Sequence, residues 1–90
     1  MQEVLTDDEA RGIIAENVRR LRGARSYSEI ARACSTDDWK AYPATIQQVE
    51  NQRHLPGAGL LARLAEALGV TPNDLLTPLR NERRKNLRRA

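Results

Sequence analysis

Apolar residues recur at helical spacing in several stretches of this chain, separated by capping or polar segments. Thr6-Asp7-Asp8-Glu9 is a capping box, with Thr6 as N-cap, Glu9 able to reach back, and acids suited to the positive end of the helix dipole. Ala10, Ile14, Val18 and Leu21 follow as one apolar stripe, Arg19, Arg20, Arg22 and Arg25 lie mostly off it, and Gly23 ends this first helix. Ser26-Tyr27-Ser28-Glu29 offers a second capping box before Ile30, Ala31, Ala33 and Cys34, which predict a helix of about two turns. Ser28 is a rival cap that would start it two residues later. Residues 35–42 have no regular period: Ser35 or Thr36 can cap one extra turn with Asp37 and Asp38 at its start. Trp39 is expected to lie over the core as a lid on this connection, with stacking on a sugar or base as the alternative.

Residues 43–56 predict a third short helix, over 43–52, and the polar loop that follows it. Pro43 suits the first helical position, where a missing N–H costs nothing. Ile46, Val49 and Glu50 share one face, leaving Ala44, Thr45, Gln47, Gln48 and Asn51 for the other. Pro56-Gly57 stops the loop, and a fourth helix sets Ala58, Leu61, Leu64, Ala65 and Leu68 on one face with Gly69 as its stop. Thr71-Pro72-Asn73-Asp74 caps a fifth, short helix with Leu75 and Leu76 turned inward. Thr77-Pro78 repeats that start signal before residues 80–90, which read as a basic helix with Leu79 and Leu87 as its only apolar residues, or as a disordered arm.

Ninety residues make one small domain, and with no Phe, two Tyr and one Trp its core must be Leu, Ile, Val and Ala. That composition suits a helical bundle better than a sheet. No apolar run is long enough to span a membrane and the first residues are acidic, so an intracellular chain is expected. Cys34 is the single cysteine, which excludes an internal disulfide or a cysteine-based metal site and predicts a small buried side chain. The net charge of +3 is uneven. Residues 1–79 carry nine basic and eleven acidic side chains, whereas 80–90 carry six and one. A basic tail on a nearly neutral body fits an arm gripping a nucleic-acid backbone, and fits a solubilising terminus equally.

The outer face of the third helix is the strongest chemical candidate. Its amides offer paired donors and acceptors, the chemistry that reads base edges in a DNA groove. An ordinary Gln-rich surface helix has the same composition, and the helix alone does not separate the two. Catalysis has little support: no His lies near a Cys, no glycine-rich phosphate loop is present, and His54 lacks a second ligand for a metal. No enzyme activity, cofactor or metal is predicted.

Taken together, these segments resemble the Cro/CI-type (XRE, lambda-repressor-like) helix-turn-helix family over roughly residues 14–76. Val18-Arg19-Arg20-Leu21-Arg22 is similar to the family's first helix, Ile30-Ala31 to the Leu-Ala pair of its second, and Thr45-Ile46-Gln47-Gln48-Val49-Glu50 to its third. Glu50 to Pro56 keeps the family's six-residue step. Leu61, Leu64-Ala65 and Leu68-Gly69-Val70 match the fourth helix, and Asn73-Asp74-Leu75-Leu76 the fifth. Three departures stand out. The usual Gly is Gln52, which predicts a looser turn or a left-handed Gln. The connection between the second and third helices is about five residues longer than usual, and that between the first and second about two shorter.

The resemblance implies an all-α, compact five-helix helix-turn-helix domain over residues 1–79, with an extended helix 2–helix 3 connection and a basic C-terminal tail over 80–90. It implies a cytoplasmic, nucleoid-associated transcriptional regulator of bacterial or phage origin, Cro-like or a small repressor. The third helix would enter the major groove of double-stranded DNA, with Ala44, Thr45, Gln47, Gln48 and Asn51 facing bases. Tyr27, Ser28, Lys40, Arg53 and His54 would face phosphates, and Arg22 and Glu50 would form a structural pair. A homodimer on a palindromic operator is expected. The alternative is an antitoxin-type module that binds a protein partner and also regulates its own operon.

Overall fold

The computed structural model describes residues 5–78, so the basic tail and Leu79 lie outside the described residues. Among the described residues five helices follow one another: α1 (Asp7–Arg22), α2 (Tyr27–Cys34), α3 (Pro43–Glu50), α4 (Ala58–Leu68) and α5 (Pro72–Leu75). No strand occurs among the described residues, and the all-α, five-helix expectation holds.

Local chemistry sets the starts. Capping boxes join Thr6 to Glu9, Ser26 to Glu29 and Thr71 to Asp74, each satisfying two otherwise unpaired backbone donors. Ser26, not Ser28, is therefore the cap of α2. The hydrogen bonds that Thr6 and Thr71 give to Glu9 and Asp74 hold both carboxyls below their ordinary pKa.

Helices α3 and α4 end in the same way. Arg53 N–H donates to Gln48 O and Gln52 N–H to Val49 O; Val70 N–H donates to Ala65 O and Gly69 N–H to Glu66 O. This paired closure needs a left-handed residue, which is Gly69 (φ +77°) after α4 and Gln52 (φ +62°) after α3. The third helix thus stops at Glu50, with Asn51 as its cap, and does not run to residue 52.

The core is Ile14 and Val18 of α1, Ile30, Ala31 and Cys34 of α2, Ile46 and Val49 of α3, Leu60, Leu64, Ala65 and Leu68 of α4, and Leu75 of α5. Four positions differ from the inward placement expected of them. Ala58 is exposed and Leu60 takes its place, because Leu60, Leu64 and Leu68 stack at i, i+4 and i+8 along the core side of α4. Ala33 is exposed on the outer side of α2, and Leu61 and Leu76 are half-buried at the margin. Cys34 is buried as expected, and its burial pushes the thiol pKa up.

Asn17 is a polar exception on the inner face of α1. Its side-chain amide donates to the carbonyls of Leu75 and Thr77 at 2.9 Å each, and to Asp74 O at 3.4 Å, while Oδ1 accepts from Arg20. It therefore ties the end of α5 to α1 by satisfying carbonyls a four-residue helix leaves open.

Candidate nucleic-acid interface

Helix α3 is divided by burial. Ile46 and Val49 are in the core and Glu50 is buried beside them, whereas Ala44, Gln47, Gln48 and Asn51 are exposed. Those four stand at i, i+3, i+4 and i+7, one face of the helix, with Thr45 half-buried at its margin. The exposed face carries no charge, only a methyl and three amides.

Glu50 positions this face. Its carboxylate is fully shielded and accepts from Arg22 Nε at 2.5 Å and Nη2 at 3.1 Å, with the Tyr27 hydroxyl donating to Oε1 at 3.3 Å. Arg19 approaches from the solvent side, its Nε 3.7 Å from Oε1 and its Nη2 donating to the Glu50 carbonyl at 3.4 Å. Hydrogen bonding to Glu50 raises the Arg22 guanidinium above its ordinary pKa. The Arg22 guanidinium also lies over the Tyr27 ring, 4.4 Å from its centre. One carboxylate thus locks α1, the start of α2 and the end of α3 together, as the expected pairing of Arg22 with Glu50 requires. Tyr27, expected to face phosphate, has turned its hydroxyl inward and acts in this brace.

The long connection from α2 to α3 closes on itself. The extra helical turn does not form; Thr36 and Trp39 exchange backbone hydrogen bonds of 2.6 and 3.3 Å around Asp37 and Asp38. Ser35 then spans the base of the loop, its hydroxyl donating to Ala31 O at 2.8 Å and accepting from Ala41 N–H at 2.9 Å. Trp39 packs against the core, as expected of a lid, and Arg63 of α4 lies over its ring at 4.7 Å. The additional residues are consumed in a compact loop whose ends meet, so the connection delivers the chain to α3 from a fixed point.

The remaining expected residues lie at the ends of these helices. Ser28 is exposed in the first turn of α2, and Lys40 is exposed shortly before α3. Arg53 and His54 are exposed just after the left-handed Gln52, whose side-chain oxygen would lie 3.6 Å from a Cβ built at Gly12 of α1. The loop is therefore backed by α1.

Two residues near the site escaped the sequence reading. Arg19 lies off the apolar stripe of α1, and its contact with Glu50 has no local signature in the sequence. Tyr42, the N-cap of α3, is 61% exposed; an aromatic immediately before a helix-starting proline was its signal. Among the described residues no group of three His, Cys, Asp or Glu is placed to hold a metal ion, and no helix is long and apolar enough to cross a membrane.

Neither a protein-family model nor a curated protein matches the chain. Among solved structures it is similar to the crystal structure of a hypothetical transcription factor, NHTF, from Neisseria. The TM-score is 0.72 at 27% sequence identity, over 93% of each chain. The overall fold of the chain is thus similar to that of a protein described as a hypothetical transcription factor.

Proposed function

We propose that this chain is a sequence-specific, double-stranded-DNA-binding transcriptional regulator of the Cro/CI helix-turn-helix type, with α3 as its recognition helix. The observation that carries the reading is the uncharged face of Ala44, Gln47, Gln48 and Asn51, presented by a helix whose opposite side is locked through Glu50. An amide face free of acids can enter the negative major groove, where Gln and Asn pair bidentately with adenine N6 and N7. Gln48 is assigned that contact, and Ala44 and Thr45 suit a thymine methyl. No Arg or Lys occurs between Ala44 and Gln52, which favours A·T content in the half-site.

Backbone grip comes from Ser28 with the leading amides of α2, and from Lys40, Arg53 and His54, while Tyr27 supports the brace. The six basic residues of 80–90 add sequence-independent attraction. The likeness to a protein described as a hypothetical transcription factor supports the reading. One short helix reads few base pairs, so a homodimer on a palindrome is the natural working form, with half-sites about 34 Å apart.

The test is selection of bound duplexes from a random pool, followed by gel shift of the enriched sequence. A short palindromic motif with that spacing is expected. Failure to enrich any sequence, with equal retention of unrelated duplexes, overturns sequence-specific binding.

A further inference from the structure

The start of α3 carries a feature that the amide face does not explain. Tyr42, Pro43 and Ala44 are consecutive, uncharged and all exposed. Tyr42 caps the helix by its backbone alone: Thr45 and Ile46 N–H donate to its carbonyl at 3.0 and 3.3 Å, and its side chain makes no capping bond. Its extended conformation (φ −119°, ψ 146°) is the one a following proline imposes. With Pro43 fixing the next residue, the backbone that carries Tyr42 at the leading end of α3 has little freedom. Tyr42 is 61% exposed, and apolar ring surface left in water is a cost recovered when that surface is covered.

We propose that Tyr42 is a specificity-determining residue of the α3 interface, its ring together with Pro43 and Ala44 covering the 5-methyl group of a pyrimidine in the major groove. This rests on the DNA-binding reading given above. The C5-methyl is the apolar group that the major-groove edge of a base pair displays, and apolar side chains are its partners. Tyr42 stands two residues before Ala44, where the amide face begins, so the methyl assigned to it belongs to a base pair at that end of the half-site. Thymine and 5-methylcytosine present the same group. Phosphate is the weaker match, because Pro43 has no N–H and the apolar run offers one hydroxyl as its only side-chain donor.

The test uses the full chain and the duplex enriched from a random pool, with each thymine of the half-site replaced in turn by uracil, which removes only the methyl. One replacement should weaken binding to the native protein about three- to tenfold while weakening binding to Tyr42→Ala by less than twofold. Tyr42→Phe should behave as the native protein. At that position a C·G pair should bind better when its cytosine carries a 5-methyl, and comparing that duplex with the T·A duplex ranks the two sources of the group. The proposal is overturned if every uracil duplex binds both proteins in the same ratio, or if Tyr42→Phe loses as much affinity as Tyr42→Ala, which would mark a phosphate contact. If no duplex is enriched at all, the DNA-binding reading fails and this assignment with it. Circular dichroism of Tyr42→Ala should be native, since the side chain supports no described hydrogen bond.

Discussion

Arg22 grips Glu50 through two nitrogens, Nε at 2.5 Å and Nη2 at 3.1 Å, on a carboxylate with no exposed surface. The pair fixes the last turn of α3 against α1, and the exposed amides stand on the other side of that turn. Truncating Arg22 to Ala would leave a shielded carboxylate without its main partner. Breaking a buried pair costs about 3–5 kcal/mol, and the lower end applies here because the Arg22 side chain retains 18% exposure and Arg19 and Tyr27 still reach Glu50. Denaturant unfolding should show that loss for Arg22→Ala. Arg22→Lys should recover only part of it, since an ammonium cannot reproduce the two-nitrogen grip. Equal stability of Arg22→Ala and the native chain would remove the pair from the account of how α3 is held.

The base of the 35–42 loop gives a second prediction. One Ser35 hydroxyl serves both Ala31 O and Ala41 N–H. Ser35→Ala removes both bonds, and a poorly hydrated amide left unpaired costs about 1–3 kcal/mol. The variant should lose stability in that range, and hydrogen exchange should accelerate at Ala41 more than in α4. Unchanged exchange at Ala41 would show that Trp39 beneath Arg63 holds the loop without the hydroxyl.

The three capping boxes were legible because each lies within four consecutive residues and works by local hydrogen bonding alone. The division of α3 was legible for the same kind of reason, since periodicity separates Ile46, Val49 and Glu50 from Ala44, Thr45, Gln47, Gln48 and Asn51, of which Thr45 alone is half-buried. Partner choice was less so. That Glu50 meets Arg22 followed from family resemblance, and nothing in the spacing of the two residues requires it. Asn17 falls on the apolar stripe between Ile14 and Val18, which signals an inward polar group, but its acceptors lie 57 to 60 residues further along. The 35–42 connection was least legible. Its path depends on one hydroxyl and on an Arg from α4, neither of which changes the local pattern.

Gly12 offers a stabilising change. It lies inside α1, where Gly is less favourable than Ala by about 0.5–1 kcal/mol. A Cβ there would meet the Gln52 side chain, Oε1 at 3.6 Å and Cδ at 4.0 Å, ordinary contact with the end of a flexible side chain. Gly12→Ala should raise the unfolding free energy by about that amount with the fold unchanged. A lower unfolding midpoint would mean that the Gln52 loop needs a closer approach to α1.

Asp74 links the α5 cap to pH. Bonds from the backbone and hydroxyl of Thr71 lower its carboxyl pKa. A group lowered in the folded state contributes stability that is complete above its unfolded value and lost as pH falls through the folded one. Asp74→Asn should therefore be less stable than the native chain at neutral pH, and the difference should shrink through the ordinary carboxylate range and vanish below it. Urea titrations at several pH values would read this directly. A difference that stayed constant into acid would assign the effect to shape instead of charge.

Gln48 and the basic tail separate the two components of the proposed DNA affinity. Gln48 is exposed on the uncharged face of α3, so its contribution would be base discrimination, worth about 1–3 kcal/mol at one position. Gln48→Ala should flatten the preference at one or two base pairs while the slope of log affinity against log salt stays the same. Removing residues 80–90 takes away six cations and one acid, and should reduce that slope while leaving the preferred sequence intact. Measuring both variants on the same panel of duplexes at several salt concentrations makes the two effects independent. Uniform weakening by Gln48→Ala on every duplex would place that residue on the backbone. An unchanged salt slope after deletion would leave Lys40, Arg53 and His54, with the amides of α2, as the phosphate grip.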